Sequence, residues 1–152
     1  MIVYLFVTIL VTNMNTNQRF AISIHALTLL AANSHPLTSE MIASSVDTNP
    51  VVIRRTMASL RERGLVDSKP GMSGGWRLKR EPGKIRLSEV YRSLQEADVL
   101  SIHSHPNQHC PIGGNITAVL RTVFDEAQAQ MESVLADRTV ADILNDVRRN
   151  AK

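Results

Sequence analysis

The one thiol of the chain, Cys110, closes a stretch that also carries three of the five histidines, His103, His105 and His109. Three readings fit such a stretch. A neighbouring imidazolium and a following helix start both lower a thiol's pKa, which would make Cys110 an oxidisable, redox-sensing group. Imidazole and thiolate together also suit a mononuclear Zn2+ site, with His103, His105 and His109 as the candidates beside Cys110. The third reading is an idle or packed cysteine beside an exposed loop. An iron–sulfur cluster would need four ligands, three of them histidines or groups from elsewhere, so no cofactor is expected. A single cysteine forms no disulfide within its own chain and suits a reducing, cytoplasmic compartment. Two Cys110 thiols could still pair across a dimer.

The second set of chemistry-bearing residues is cationic. Between Arg54 and Arg86 lie ten Lys/Arg against three acids, whereas the rest of the chain holds seven against eleven. A block of this sign concentrates positive potential on one part of the fold, as a surface for a polyanion requires; the bland alternative is a solvated basic face. Enzyme chemistry has no foothold. There is no Gly-rich phosphate loop, nucleophile elbow or HExxH. The adjacent acids Asp125 and Glu126 read as the solvent face of a helix, and nothing supplies the pocket or oxyanion hole that a Cys110–His109 hydrolase needs.

The elements that must position the cations follow from spacing. Phe20, Ile24, Leu27 and Ala31 make one apolar stripe in a helix over 17–32, stopped by His35-Pro36. Thr38 or Ser39 caps a short second helix ending near Val46. Asn49 then caps a third, with Pro50 at its first position, where a missing N–H costs nothing. That helix runs to Gly64 with Val52, Ile53, Met57 and Leu60 on its buried side and Arg54, Arg55, Ser59, Arg61 and Arg63 largely elsewhere. A short helix, a tight turn and a second helix with free arginines is a helix–turn–helix pattern. Strands at 65–69 and 76–79 around the glycine-rich turn 70–75 add a basic hairpin, a wing. Ser88 is expected to cap a fourth helix over 89–98, a loop fills 99–114, a long helix starts at Gly114 or Asn115, and Thr139 caps a last one.

The major groove of B-DNA admits one helix, and side chains at that helix's N-terminal end read the base edges. Asn49, Pro50, Val51, Arg54 and Arg55 stand there, joined by Thr48 and, further along, Ser59. An arginine can make two hydrogen bonds to guanine and a valine can touch a thymine methyl. Thr38 and Ser39 are candidates to hold phosphates. Lys69, Ser73, Gly74, Gly75, Trp76, Arg77 and Lys79 make up the wing's share. The long helix repeats Ile116, Leu120, Val123, Phe124, Ala127, Met131 and Val134 at helical steps beyond an already self-sufficient unit, so the stripe reads as the seam of a homodimer. Two-fold symmetry then implies a pseudo-palindromic operator. A protein-binding winged helix, or a metal-responsive regulator using the His/Cys loop, is the alternative.

The fold expected is therefore mainly α: a winged helix–turn–helix, three helices plus a β-hairpin, with a long C-terminal dimerisation helix. Residues 14–98 form the DNA-binding domain, 99–114 a sensor-type loop and 115–152 the dimerisation helices. The apolar stretch 1–12 is too short to span a bilayer and lacks a signal peptide's basic start. No membrane partner is expected, and residues 1–13 read as an extension upstream of a true start at Met14.

RFAISIHALTLLA, NPVVIRRTMASLRERGLVDSKPG and GGWRLKR, continued by LSEVYRSL and TVADIL, resemble the Rrf-two family of bacterial winged-helix regulators. That group includes an iron–sulfur-cluster regulator and a cysteine-metabolism repressor. The likeness covers about residues 15–145. It implies a dimer joined by the long helix, repression as the usual mode, Pro50, Val51, Arg54 and Arg55 at the start of the recognition helix, and Ser73 to Trp76 in the wing. Two departures stand out. Pro70, beside Lys69, occupies a position where the family usually has Arg. Cluster-binding members carry three cysteines in the loop before the long helix, where this chain has Cys110 alone, in HSHPNQHCPIGGNI. It resembles a cluster-free branch.

Overall fold

A computed structural model describes residues 16–94 and 100–151. The expected extension 1–13 and the end of the expected fourth helix, 95–98, lie outside the described residues. The elements run α1 (Thr16–Ala32), α2 (Ser39–Val46), α3 (Pro50–Glu62), β1 (Val66–Lys69), β2 (Gly75–Leu78), a 3-10 turn (Pro82–Lys84), α4 (Leu87–Ser93), α5 (Gly113–Ala136) and α6 (Val140–Asn150). The strands pair antiparallel with Val66 opposite Leu78 and Lys69 opposite Gly75. This is the winged helix–turn–helix that the spacing predicts, mainly helical with one two-stranded wing.

The core is aliphatic, as a chain with 4% aromatics demands. Leu27, Ile42, Ile53, Met57, Leu60, Leu65, Val66, Ile85, Val90 and Val140 are all essentially closed to solvent. Each such side chain stabilises the fold by about 1.5–3 kcal/mol relative to exposure. In α1 the buried line is turned slightly from the predicted stripe. Ser23, Ala26, Leu27 and Leu30 go deep, whereas Phe20, Ile24 and Ala31 pack half-buried at the edge of the core. The reason is that α1 is covered by α2, α4 and β2 and also by α6. Its buried hydroxyls bond within the helix, Ser23 donating to the Arg19 carbonyl and Thr28 to that of Ile24, each at 2.8 Å, so their burial leaves no polar group unsatisfied.

Two expectations need correction. The fourth helix begins at Leu87 rather than after Ser88, which is buried inside the first turn. The chain arrives at Arg86 in an extended bridge with Thr139, and the Glu89 carboxylate accepts the Arg86 N–H at 3.1 Å. Burial alone would raise the Glu89 pKa, but that N–H and the Arg80 guanidinium hold it below the usual range.

The last helix, expected among the dimerisation helices, packs on the N-terminal domain. Thr139 caps α6 as expected, its hydroxyl accepting from Asp142 N while Asp142 accepts from Thr139 N. Val140 and Leu144 then bury against the N-terminal domain, and backbone bonds from Val140 N to Ile85 O and from Leu87 N to Arg138 O stitch α6 beside α4. Residues 140–150 thus complete the core that α1 begins.

The long helix α5 has no buried residue. At 1.5 Å per residue its 24 residues extend about 36 Å. Its C-terminal half is fastened to α4 by Arg92 to Glu132 at 2.5 Å and by Gln128 to the Tyr91 hydroxyl at 3.1 Å. Tyr91 in turn meets the Phe20 ring edge-on at 5.5 Å. Among the described residues no helix is long and apolar enough to cross a membrane.

Candidate nucleic-acid interface

The turn between α2 and α3 is built by three residues. Asp47 takes the left-handed conformation with φ 58°, which Asp tolerates better than most. The Thr48 N–H bonds back to Ala43 O at 3.0 Å. The Asn49 carboxamide oxygen accepts the Val51 N–H at 2.8 Å, satisfying one of the orphan donors that begin α3. The expected cap and the Pro50 start are both in place. Val52, Ile53, Thr56, Met57 and Leu60 bury the inner side of α3, which leaves Val51, Arg54, Arg55, Arg61 and Arg63 outside. Ser59 is half-buried and its hydroxyl turns back to the Arg55 carbonyl.

The two candidate reading arginines differ. Arg55 has no acidic partner among the described residues, whereas Arg54 forms an ion pair with Glu40 on α2. The Glu40 carboxyl lies below its usual range, first because it accepts its own backbone N–H near the start of α2 and then because Arg54 and the Thr38 hydroxyl stand beside it. Sequence reasoning missed Glu40. The signal was its place at the second position of α2, since packing the two helices of the motif brings the starts of α2 and α3 close together.

The wing is held by contacts that the sequence reading gave to DNA. Trp76 exchanges two backbone bonds with Leu37, at 3.0 and 2.8 Å, adding a one-residue third strand. Its indole N–H donates to the Ser39 hydroxyl at 3.0 Å, and the Arg61 guanidinium lies over its ring at 5.8 Å. Ser39 is buried. Ser39 and Trp76 therefore fasten the hairpin to α2 and α3, and their polar groups are directed at each other. Thr38 is likewise spoken for as the cap of α2, accepting from Met41 N. Gly75 sits at φ 143°, and a Cβ there would fall 2.6 Å from the Leu37 carbonyl oxygen; glycine is what lets the strand approach. Lys69, Ser73, Arg77 and Lys79 are exposed, Gly74 half-buried at the turn. Arg77 pairs with Asp67 at 3.1 Å, and that guanidinium, with the Ser68 N–H, holds the Asp67 carboxyl low.

In the loop before α5, Cys110 is exposed and free. The backbone N–H groups of Gly113 and then Ile112 point at its thiol and hold its pKa below the ordinary value, against a smaller opposing effect of burial. The helix start thus supplies the effect that the sequence reading shared with an imidazolium. His103, His105 and His109 are exposed, and among the described residues no three His, Cys, Asp or Glu side chains form a group that could hold a metal ion. Gly113 is needed for this geometry, because a Cβ would lie 2.3 Å from the Asn107 carbonyl oxygen. Along α5, Val123 and Val134 are 54% and 65% exposed and Ala127 is open, with Ile116, Leu120 and Met131 half-covered. Phe124 departs from that stripe, since it faces the side of Leu100 and Ile102.

Comparison with known proteins gives this arrangement a setting. The family model Rrf2, described as iron-dependent transcriptional regulator, matches residues 16–146. YwnA of Bacillus subtilis (strain 168), provisionally assigned as an HTH-type transcriptional regulator, is 39% identical over 130 residues, 85% of this chain and 96% of that one. A crystal structure of a provisionally assigned DNA-binding protein superposes with TM-score 0.68 at 35% identity, covering 83% and 98% of the two chains. The structure of T. potens IscR superposes with TM-score 0.67 at 25% identity, covering 90% of each.

Proposed function

The chain belongs to the Rrf2 family of DNA-binding transcriptional regulators, which are not enzymes, and from that membership we propose that it acts in the cytoplasm as a homodimeric repressor. Two copies joined along α5 bind a pseudo-palindromic operator, with half-sites about one helical turn apart. The observation that carries this reading is α3: its inner face is locked into the core while Val51, Arg54 and Arg55 stand outside at its N-terminal end. The hairpin fastened by Trp76 adds Lys69, Ser73 and Lys79 for the sugar–phosphate backbone. Fluorescence anisotropy of the purified protein on duplex DNA between about 50 and 200 mM salt tests it. With six to ten phosphate contacts, affinity falls by about 10^3 to 10^5 over that range. A flat response would overturn it and favour a protein-binding winged helix.

The donors of this chain do not fit an iron–sulfur cluster. One thiol and three exposed imidazoles replace the loop cysteines that such a cluster uses. The reading instead gives the loop a thiol. The Cys110 thiolate attacks a hydroperoxide, forming a sulfenic acid and releasing hydroxide or an alcohol; a second thiol then displaces water to give a disulfide. Because the folded pKa is the lower one, Cys110 carries more thiolate than the unfolded chain below the ordinary thiol range. Iodoacetamide should therefore label the native protein faster than the urea-unfolded protein near pH 7, with the two rates converging above about pH 9. Cys110→Ser should abolish any loss of DNA binding on peroxide treatment. Equal labelling rates, or an unchanged peroxide response in Cys110→Ser, would remove the thiol from the mechanism.

A further inference from the structure

Between the loop after residue 100 and the first half of α5 run two adjoining clefts, of about 460 and 620 Å3, that share Arg121 and Ile102 in their walls. Ligand sites commonly occupy about 300–1,000 Å3 and combine an apolar wall with a few convergent polar groups. This one has both. Leu100, Ile102 and Phe124 supply the apolar wall. Arg121 and Asp125 stand one helical turn apart on the same side of α5, and among the described residues neither has an ion-pair partner.

Unpaired groups of opposite sign at this spacing, beside aliphatic and aromatic side chains, are complementary to a small zwitterion with an apolar body. We propose that this cleft is an effector site for a free apolar α-amino acid. Its carboxylate meets the Arg121 guanidinium. Its ammonium meets Asp125, and its side chain lies on Leu100, Ile102 and Phe124. The assignment rests on the regulatory reading above only for the word effector; binding itself is independent of DNA.

The site also lies where occupancy can be felt. Residues 117, 121, 124 and 128 recur at three- and four-residue steps and share one side of α5. Gln128, on that side, and Glu132 are the residues that hold α5 to Tyr91 and Arg92 of α4. The exposed Val123, Ala127 and Val134 of the proposed seam lie on another side of α5.

Calorimetric titration of the full-length protein with L-phenylalanine and L-leucine tests the proposal, with 3-phenylpropanoate, 2-phenylethylamine and glycine as partial probes. Saturable binding of the two amino acids is expected with Kd on the order of 1 mM or tighter. Each partial probe should bind at least about tenfold more weakly, and Arg121→Gln and Asp125→Asn should each cost about tenfold or more. Both positions are exposed, and thermal melts that match the parent establish that the variants fold. No binding of either amino acid up to about 10 mM would overturn the proposal. So would equal affinity for 3-phenylpropanoate, or undiminished binding by Arg121→Gln. Measuring DNA affinity of the same unliganded samples separates this outcome from failure of the DNA-binding reading.

Discussion

Val123→Asp is expected to leave the fold intact, convert the protein to a monomer and lower operator affinity at least about a hundredfold. Val123 is half exposed on a helix that buries none of its residues within its own chain, so the charge meets water in the monomer. In a paired seam two aspartates would face each other in an apolar strip, and an uncompensated buried carboxylate costs several kcal/mol. The loss at DNA is larger than the contact removed. Joined winged helices engage the second half-site at a high effective concentration, which raises affinity by about 10^2 to 10^4 over one unit alone. Sedimentation velocity at micromolar protein, circular dichroism and anisotropy on the operator read the three parts separately. A dimer that survives Val123→Asp would move the seam off this stripe.

Arg55→Ala is expected to weaken operator binding by about 1–3 kcal/mol, roughly 5- to 150-fold, and to relax preference at one base position of each half-site. Arg55 is exposed and has no acidic partner among the described residues, so reaching DNA breaks no ion pair seen there. Arg54 must first leave Glu40. Both partners are exposed, so water and salt screen the pair and the restraint is slight. Arg54→Ala should fall in the same range. It also leaves the Glu40 carboxylate unneutralised near phosphate, so its loss should persist across sequences as well as at one base. Lys79→Ala should weaken all duplexes alike. Selection of bound duplexes from a random library by parent and variants supplies the operator and the comparison at once. Variants that select and bind as the parent does would show that α3 is not the reading helix.

How far the sequence carried the molecule depended on which forces were local. Caps at Thr38, Asn49 and Thr139, Pro50 at a helix start and Gly64 past a helix end are decided by groups within a few residues, and all were legible. So was the buried side of α3, where Val52, Ile53, Met57 and Leu60 are buried as their helical spacing predicts. The site was less legible. Thr38, Ser39 and Trp76 look like DNA-facing polar groups, yet Ser39 and Trp76, 37 residues apart, bond to each other, and Thr38 serves its own helix.

The sequence by itself determined the class of surface: ten cations gathered between residues 54 and 86, most of them on a helix–turn–helix and its hairpin, and one thiol ahead of a long helix. The tertiary structure alone decided which cations are free, since Glu40 reaches Arg54 only when α2 packs on α3. It also decided that α6 closes the N-terminal core, leaving α5 to stand out, and that Arg121, Asp125 and Phe124 share a wall with Leu100. Local sequence sets caps and periodicity through bonds a few residues long. Pairing, burial and clefts depend on which distant segments meet, and that is fixed by packing the whole core at once.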